Sequence, residues 1–452
     1  MIILDTTIVN VALPSIKTDL AFSESALTWV VNAYMLAFAG FLLLGGRLGD
    51  LYGHRKMFLI GLFVFTLASL TCGLAESQTI LIAARAVQGL GGAIVSAIAL
   101  SLIMNLFTDP NERARAMGFF GFIAAGGGAI GVFLGGLLTG SFDWHWNFLV
   151  NIPIGFIVFF LCIYLLPKSG GQHVKLDLAG AVTITASLML AIYAIVNGNS
   201  VGWLSAETLG LLFTSLVSFF AFLYIEQTVQ TPLVPLSVFR LPNVAPASII
   251  GILWSAGMFS WFFLSALYLQ IILHYTPMQV GLSFLGANIV MAIFSLGLSA
   301  KIVIRFGTKG PLALGMTFVA VGLLFFAFSP QHGDFLMHVL PGMLLLGLGA
   351  GLAFNPVLLV ATSDVPPEES GLASGVLNTA FMMGGSLGLA ILASVAGART
   401  NSLIAGGVDQ IDALLSGYHA AFLLGALFAV GAVILSLIFL HPSKNFSPAG
   451  IH

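Results

Sequence analysis

The sequence predicts an all-α integral membrane protein with fourteen transmembrane helices. Of its 452 residues, 59% are hydrophobic and 7% are charged, whereas a soluble domain carries about a quarter charged residues. Apolar runs repeatedly reach about 20 residues, which is the length that a helix needs to cross a bilayer. The basic residues also fall almost entirely on one side of the alternating loops, as expected of a multi-pass protein.

Polar breaks divide the chain into the predicted helices. The first apolar run is short, at about sixteen residues, so we expect the chain to begin inside its first span. The predicted helices lie at 1–16, 26–46, 57–75, 79–106, 115–139, 147–166, 178–197, 207–227, 246–272, 278–300, 311–329, 336–361, 371–397 and 418–440.

Lysine and arginine predict the orientation, because basic residues concentrate in cytoplasmic loops. If the first helix starts in the cytoplasm, twelve of the fifteen basic residues lie in cytoplasmic loops or in the C-terminal tail. Lys17 and Arg399 lie on the other side, and Arg85 lies within a helix. We therefore predict a multi-pass protein of the cell membrane with both termini in the cytoplasm.

Several classes of function are disfavoured by what the sequence lacks. It contains no G-x-x-x-x-G-K-[ST] phosphate loop, so ATP hydrolysis is not expected and energy would come from an ion gradient. A net charge of −2 argues against nucleic acid as a partner. Cys72 and Cys162 lie in apolar runs and are interpreted as packing residues. We predict no enzymatic activity, no cofactor and no metal site.

An internal similarity predicts two related halves. GRLGDLYGHRK follows the second predicted helix, and AKIVIRFGTKG follows the tenth, with basic residues and glycine at matching offsets. Transporters are often built from such repeats. We predict an N-terminal six-helix bundle at 1–166, two additional helices at 167–230 and a C-terminal six-helix bundle at 231–452.

Two ionisable residues lie deep in predicted spans, where charge is expensive and usually functional. Asp5 lies in the first helix and Arg85 in the fourth. One interpretation is a fixed ion pair that holds two helices together. The other is that Asp5 takes up and releases a proton while Arg85 tunes its charge. Glu226, at the end of the eighth predicted helix, is interpreted as a solvated helix end.

Several segments resemble the fourteen-span drug:proton antiporters of the major facilitator superfamily, across almost the whole chain. LDTTIVNVALP from Leu4 is similar to the family's first-helix motif, and RAVQGLGGA from Arg85 to its fourth-helix motif. GRLGDLYGHRK from Gly46 resembles the signature loop of the superfamily. Typical of the fourteen-span branch are WHWNFLVNIPIG, TPLVPLSVFR and SGLASGVLNTAFMMGGSLGLA.

The resemblance implies roles for particular residues. It ties Asp5 to proton coupling and Arg85 to proton transfer. It also implies that Asp50 contacts a helix of the opposite half and steadies one conformation of the transporter. The matching signature residues are Gly46, Asp50, Gly53, Arg55 and Lys56. The resemblance further implies a major facilitator fold, a monomer and the inner membrane of a bacterial cell.

Two positions depart from the family pattern. The fifth-helix antiporter motif is represented by Gly131, Gly135 and Gly136, but Val132 stands where the family usually has proline. The glycines still allow close packing, although the kink that proline supplies is absent. Leu51 stands where the signature loop often has a basic residue.

A few uncharged polar and aromatic residues are candidates for a substrate cavity. Sites that mix aromatic and sparse polar groups suit bulky amphiphiles, although hydrogen bonds between helices are an alternative role for each residue. The second half has no clear mid-membrane carboxylate, so neutral or singly charged lipophiles are expected rather than dications. The candidates are Asn32, Tyr34, Gln88, Trp254, Trp261, Gln270, Asn288, Asn355 and Asn378.

Together these features predict a proton-coupled secondary exporter of small lipophilic drugs, antiseptics or antibiotics, which works by alternating access in the lipid bilayer. A metabolite carrier on the same fold is the first alternative. A membrane receptor or scaffold that transports nothing is the second.

Overall fold

The computed structural model describes residues 1–107, 130–167, 177–230, 232–234, 236–363 and 370–441, with the isolated positions 112, 116 and 127. Throughout this part the chain folds into helices and contains no β-strand. Side chains are not described at positions 24, 25, 39, 43, 47, 50, 100, 104, 105, 296, 297, 300, 304, 362 and 370–374.

The first part of the chain forms eight helices. Ser23, Ser77, Asp177 and Ser205 precede four of them, and each side chain accepts a hydrogen bond from a backbone N–H of the first turn, which satisfies a donor that the helix leaves open. The helices are α1 (Ile2–Asp19), α2 (Glu24–Tyr52), α3 (His54–Gly73), α4 (Gln78–Leu106), α5 (described for Ile130–Ser141), α6 (Trp146–Leu165), α7 (Leu178–Val201) and α8 (Ala206–Thr228).

The second part begins with a short 3₁₀ helix and continues with six helices, three of which contain a π-helical stretch. Those stretches are Tyr268–Ile272, Phe294–Leu298 and Phe335–Val339. The helices are α9 (Val244–Ile272), α10 (Pro277–Ile293 continuing through Ser299–Phe306), α11 (Lys309–Ala327), α12 (Phe335–Val339 continuing through Leu340–Thr362), α13 (Ser370–Ala405) and α14 (Gln410–Phe439).

Ten of the described helices are long and apolar enough to cross a membrane, judged by length and composition: α3, α4, α6 to α9 and α11 to α14. Three shorter apolar helical segments lie at Ala26–Leu42, Ile130–Ser141 and Pro277–Ile293. The chain therefore forms a polytopic helical membrane protein, while the count of fourteen spans stays a prediction.

Burial distinguishes central from peripheral helices. In α9, 72% of the most apolar window is buried, whereas the corresponding share is 17% in both α6 and α8. Helices that are apolar on all sides and little covered by protein are suited to contact lipid. We therefore place α9 at the centre of the molecule and α6 and α8 at its lipid-facing periphery.

The signature segment is helical, and its prediction as a loop is wrong. α2 continues through Gly46 and Asp50 to Tyr52, and α3 begins at His54. Gly53, with a φ of 91°, is the single residue between the two helices, a conformation that glycine adopts at little steric cost. The segment after α10 has the same form, since Gly307 follows Phe306 with a φ of 74°.

The last helix also begins earlier than predicted. α14 starts at Gln410, eight residues before the predicted position 418, because the Asp409 side chain accepts a hydrogen bond from the Ile411 N–H and caps the helix. The polar character of this stretch comes from the cap and from first-turn residues such as Asp412.

The interpretation of Glu226 as a solvated helix end is wrong. Its side chain is 3% exposed, and its Oε2 accepts a hydrogen bond of 3.0 Å from the backbone N–H of Val234. The segment that follows α8 folds over the end of the helix and covers this carboxyl group.

Glycines in the helix interiors permit close approach of helix backbones. A Cβ at Gly91 of α4 would lie 2.6 Å from the backbone nitrogen of Phe65 in α3. A Cβ at Gly349 of α12 would lie 2.5 Å from the carbonyl oxygen of Gly315 in α11. Neither position leaves room for a side chain, which is the reason for glycine there.

The two parts of the chain meet at the end of the bundle where α1 ends, which we call the distal face. The Trp144 indole donates a hydrogen bond of 2.9 Å to Asp19 Oδ2, which places the turn after α5 beside the end of α1. A Cβ at Gly136 of α5 would lie 2.6 Å from the carbonyl oxygen of Pro277, the first residue of α10. Helices of the two parts are therefore in direct contact at the distal face.

We predict that Gly347→Ala destabilises the folded protein by about 1–3 kcal/mol, the range for overfilling a tightly packed site. The new methyl group would lie 2.8 Å from the carbonyl carbon of Ala287, so α10 and α12 would have to separate. The thermal unfolding midpoint of the detergent-purified protein measures the effect. Gly310→Ala is the control, since no atom lies within 4 Å of its Cβ position. Equal midpoints for both variants would contradict the close approach.

Candidate functional site

The two deep ionisable residues form a buried ion pair. Asp5 lies near the start of α1 and Arg85 in the second turn of α4, and both side chains are fully buried. Arg85 Nη1 donates to Asp5 Oδ2 at 2.6 Å. The structure thus brings together two residues that are 80 positions apart in the sequence, as a nearly charge-free interior requires.

Neutral donors complete the surroundings of the Asp5 carboxylate. Asp5 Oδ1 accepts hydrogen bonds of 2.8 Å from Gln88 Nε2 and of 2.8 Å from Asn151 Nδ2. Both amides also donate to the Ser69 hydroxyl, at 3.0 and 3.1 Å, and Ser69 in turn donates to the carbonyl of Phe148. We call Asp5, Ser69, Arg85, Gln88 and Asn151 the acid network.

Arg85 is held by contacts on several sides. Nη1 also donates to Gln88 Oε1 at 2.7 Å, and Nε donates to the Val30 carbonyl of α2 at 2.9 Å. The guanidinium carbon lies 4.3 Å from the centre of the Tyr34 ring, within range of a cation–π interaction. Its Nη2 is buried without a hydrogen-bond partner among the described residues.

The Asp5 carboxyl group is compensated on both of its oxygens. Three donors reach its two oxygens, and hydrogen bonds to the charged form of an acid stabilise that form. A proton would displace at least one donor, and separating the pair would leave two uncompensated buried charges. The acid network therefore holds α1, α3, α4 and α6 to one another.

The glycine motif of α5 packs the helix onto α1 next to the acid network. A Cβ at Gly131 would lie 2.7 Å from the Leu4 carbonyl oxygen, and one at Gly135 would lie 2.5 Å from the Ile8 carbonyl oxygen. Gly136 faces α10 instead, as described above. Val132, at the position of the family's proline, is 1% exposed, so its side chain fills space within this contact.

The signature segment extends from the end of α2 into α3. Arg55 donates a hydrogen bond of 2.5 Å from Nη2 to the Ile163 carbonyl near the end of α6, whereas Lys56 is exposed. Gly46 lies in the helix and Gly53 forms the turn. The Asp50 side chain lies outside the described residues, so its implied contact with the other half stays a prediction.

Four of the nine cavity candidates are engaged within the protein. Gln88 belongs to the acid network, and Tyr34 lies under the Arg85 guanidinium. Gln270 Nε2 donates to the Val11 carbonyl of α1 at 3.0 Å and so links the two parts of the chain. Asn355 donates to the Ser295 carbonyl at 2.8 Å, beside the π-helical stretch of α10.

Four further candidates carry buried polar atoms without a hydrogen-bond partner among the described residues. These are both amide atoms of Asn32, the indole nitrogens of Trp254 and Trp261, and Nδ2 of Asn288. The Trp254 ring lies 5.8 Å from Phe354 and 5.4 Å from Phe381, which forms an aromatic cluster of α9, α12 and α13. Asn378, the last candidate, is exposed.

A cavity of about 250 Å³ lies where α2, α7, α9, α13 and α14 meet. The predicted cavity candidates do not line it. Its polar surface includes Thr28, Asn199, Ser394 and Asn401, and it is smaller than the roughly 300–1,000 Å³ of sites for drug-sized ligands.

Ser69 and Asn151 are functional candidates that the sequence analysis did not single out. Each is a small polar residue in a long apolar run, which is the signal that could have marked it. That signal is weak because serine and asparagine often bond locally within helices. Only the fold shows that Asn151 donates to the Asp5 carboxylate and that the Ser69 hydroxyl accepts from both Asn151 and Gln88.

The fold and the buried acid network define a polytopic membrane transporter rather than an enzyme, and comparison with known proteins agrees. The family model of the major facilitator superfamily matches residues 1–389. The chain therefore belongs to the major facilitator superfamily.

The relatives it resembles include antibiotic exporters and resistance proteins of bacteria. The puromycin resistance protein of Streptomyces alboniger is 36% identical over 97% of this chain and 88% of its own length. The cephamycin export protein of Amycolatopsis lactamdurans is 36% identical over 100% of this chain and 92% of its own length. A solved peptide transporter of the POT family, in an autoinhibited state, has the same fold, with a TM-score of 0.65 at 16% identity over 99% of this chain and 98% of its own.

We predict that Gln88→Leu destabilises the protein by about 1–3 kcal/mol, because it removes a donor from the buried Asp5 carboxylate and an acceptor from Arg85. The thermal unfolding midpoint measures the loss. Gln227→Leu, the same change at an exposed position of α8, should leave the midpoint nearly unchanged. A Gln88→Leu protein as stable as wild type would show that the network does not depend on this amide.

Proposed function

We propose that the protein is a proton-coupled secondary exporter of small lipophilic molecules that works by alternating access with fourteen membrane spans. The single observation that carries the proposal is the fully buried acid network, in which a carboxylate is paired with a guanidinium in the first half. Ionisable residues at such depth mark ion and proton pathways in transporters.

Proton coupling needs an acid whose protonation depends on conformation. In the observed conformation the donors of Arg85, Gln88 and Asn151 stabilise the charged form of Asp5. A conformation that moves α1 away from α4 or α6 removes some of these donors and makes the proton a better partner. Proton binding and conformation are then linked, and each shifts the other.

The energy supplied by one proton is sufficient for export. One charge crossing about 100 mV supplies about 2.3 kcal/mol, which corresponds to a substrate gradient of roughly fifty-fold. A single coupling carboxylate therefore suffices.

The substrate class follows from the relatives and from the chemistry of the second half. The named relatives export or confer resistance to antibiotics. Trp254, Phe354 and Phe381 supply an aromatic surface with one unpartnered indole N–H, which suits a lipophile with a hydrogen-bond acceptor. We expect neutral or singly charged lipophiles, carried by a monomer whose termini lie in the cytoplasm.

We predict that Asp5→Asn abolishes proton-driven transport, because asparagine keeps the shape of the side chain but does not exchange a proton. In inside-out vesicles with an imposed proton gradient, wild type should accumulate a lipophilic dye up to roughly fifty-fold, the limit for one proton at about 100 mV. The variant should reach only the level of uncoupler-treated wild type. Asp412→Asn, at an exposed acid of α14, should transport like wild type.

The same assay separates the alternatives. Undiminished accumulation by Asp5→Asn would contradict the role of this residue. Dye exit from vesicles loaded in advance, without accumulation, would indicate an uptake carrier. Specific dye binding with no movement in either direction would contradict export altogether.

We also predict that Arg85→Lys lowers proton-driven accumulation at least tenfold although the positive charge is kept. Lysine presents a point charge and does not reproduce the simultaneous bonds of Arg85 to Asp5, Gln88 and the Val30 carbonyl. Surface expression and the thermal midpoint are measured in parallel, since a well-folded variant with wild-type transport would show that charge alone is needed.

A further inference from the structure

A second place with buried carboxyl groups lies outside the acid network, where α7 begins and α8 ends. Asp177 is the N-cap residue of α7, and Glu226 lies in the last turn of α8. Their side chains are 4% and 3% exposed. Burial to this degree is rare for acidic residues unless a partner compensates for the lost water.

Each of these carboxyl groups has one satisfied oxygen and one that lacks a donor. Asp177 Oδ1 accepts from the Gly180 N–H at 2.8 Å, and Glu226 Oε2 accepts from the Val234 N–H at 3.0 Å. Asp177 Oδ2 and Glu226 Oε1 are both buried and have no hydrogen-bond partner among the described residues.

The two unpartnered oxygens converge on one spot. A Cβ on Gly180 would lie within 3 Å of both Asp177 Oδ2 and Glu226 Oε1. Glycine at this position leaves the space in which the two carboxyl groups approach each other. The two carboxyl groups therefore face each other across the first turn of α7.

Among the described residues, the surroundings of this pair are apolar. Ala181, Ile184, Phe222, Leu233 and Val234 belong to one buried cluster, together with residues of α2.

Helices α2, α8 and α13 pack against α7. On α7 and α8 the described acids near this end are Asp177 and Glu226 themselves, and α13, which also packs against α7, carries its described charge, Arg399, in its other half. Ionisable residues close in sequence to these elements, with side chains outside the described part, include Arg47, Asp50, His173, Lys175, Glu368 and Glu369.

We infer that Asp177 and Glu226 form a second proton-binding site, in which the two carboxyl groups hold one proton between them. Two like charges whose oxygens both lie within 3 Å of the Gly180 Cβ position repel strongly in apolar surroundings. The pair therefore does not ionise completely. With one proton, the O–H of one group donates to the free oxygen of the other. Both unpartnered oxygens are then satisfied, and the site carries a single negative charge.

The site connects three parts of the chain. Asp177 caps α7, Glu226 ends α8, and the bond to Val234 holds the segment that leads to α9. Loss of the shared proton would place two negative charges in one enclosure and force the start of α7 away from the end of α8. The two helices between the bundles would thereby respond to pH independently of Asp5.

Infrared spectra of the full-length protein in lipid nanodiscs test this inference directly. Wild type at neutral pH should show the C=O band of one protonated carboxyl group that is lost on titration to alkaline pH. Asp177→Asn and Glu226→Gln keep the side-chain shapes and supply an amide N–H to the remaining carboxylate, so each single variant should lose this band. Glu207→Gln, at the exposed acid in the first turn of α8, should keep it.

Three outcomes would overturn the site. A wild type with no protonated carboxyl at neutral pH would mean that both groups are ionised, for example beside Lys175 or a bound cation. A band that persists in both single variants would belong to another acid. A band removed equally by Glu207→Gln would show that the assignment is wrong.

The inference does not depend on the proposed export function. Asp5→Asn should keep the shared-proton band, because Asp5 is not part of this site. Undiminished dye accumulation by that variant would contradict the proposed role of Asp5 alone, and failure of the band assignment would contradict this site alone.

Discussion

The pairing of Asp5 with Arg85 is the constraint on which much of the first half depends. A buried charge is costly unless an opposite charge and hydrogen bonds compensate for the lost water. Asp5 comes from α1, the Val30 carbonyl from α2, Ser69 from α3, Arg85 and Gln88 from α4, and Asn151 from α6. One ion pair therefore fixes the relative positions of five helices, and any movement among them changes its electrostatics.

Close backbone contacts determine how such movement is transmitted. Gly131 and Gly135 seat α5 on α1 beside the acid network, while Gly136 on the same helix touches the start of α10. α5 thus contacts the helix of Asp5 on one side and the start of α10 on the other. These glycines bring the backbones of three helices into direct contact.

The helices and the ion pair could be predicted from sequence for the same physical reason. Long apolar runs have few alternatives to spanning helices, and two isolated charges in hydrocarbon have few alternatives to each other. The continuation of α2 through Gly46 to Tyr52 could not be predicted from the apolar pattern. Backbone hydrogen bonds of a helix form as readily where the side chains are charged as where they are apolar. The burial of Glu226 could not be predicted either, because it depends on the segment after α8 that folds over the end of the helix. Gln88 was predicted as a cavity residue because two of its partners, Asp5 and Ser69, lie on other helices and are distant in the sequence.

The π-helical stretches are unevenly distributed along the chain. All three lie in α9, α10 and α12, and in the described residues the first half has none. A π-helical turn widens the helix and releases a carbonyl group from its usual partner. The helix is therefore easier to deform at that turn. In the part of the chain that the structure describes, these more deformable turns therefore lie in helices other than those that form the acid network.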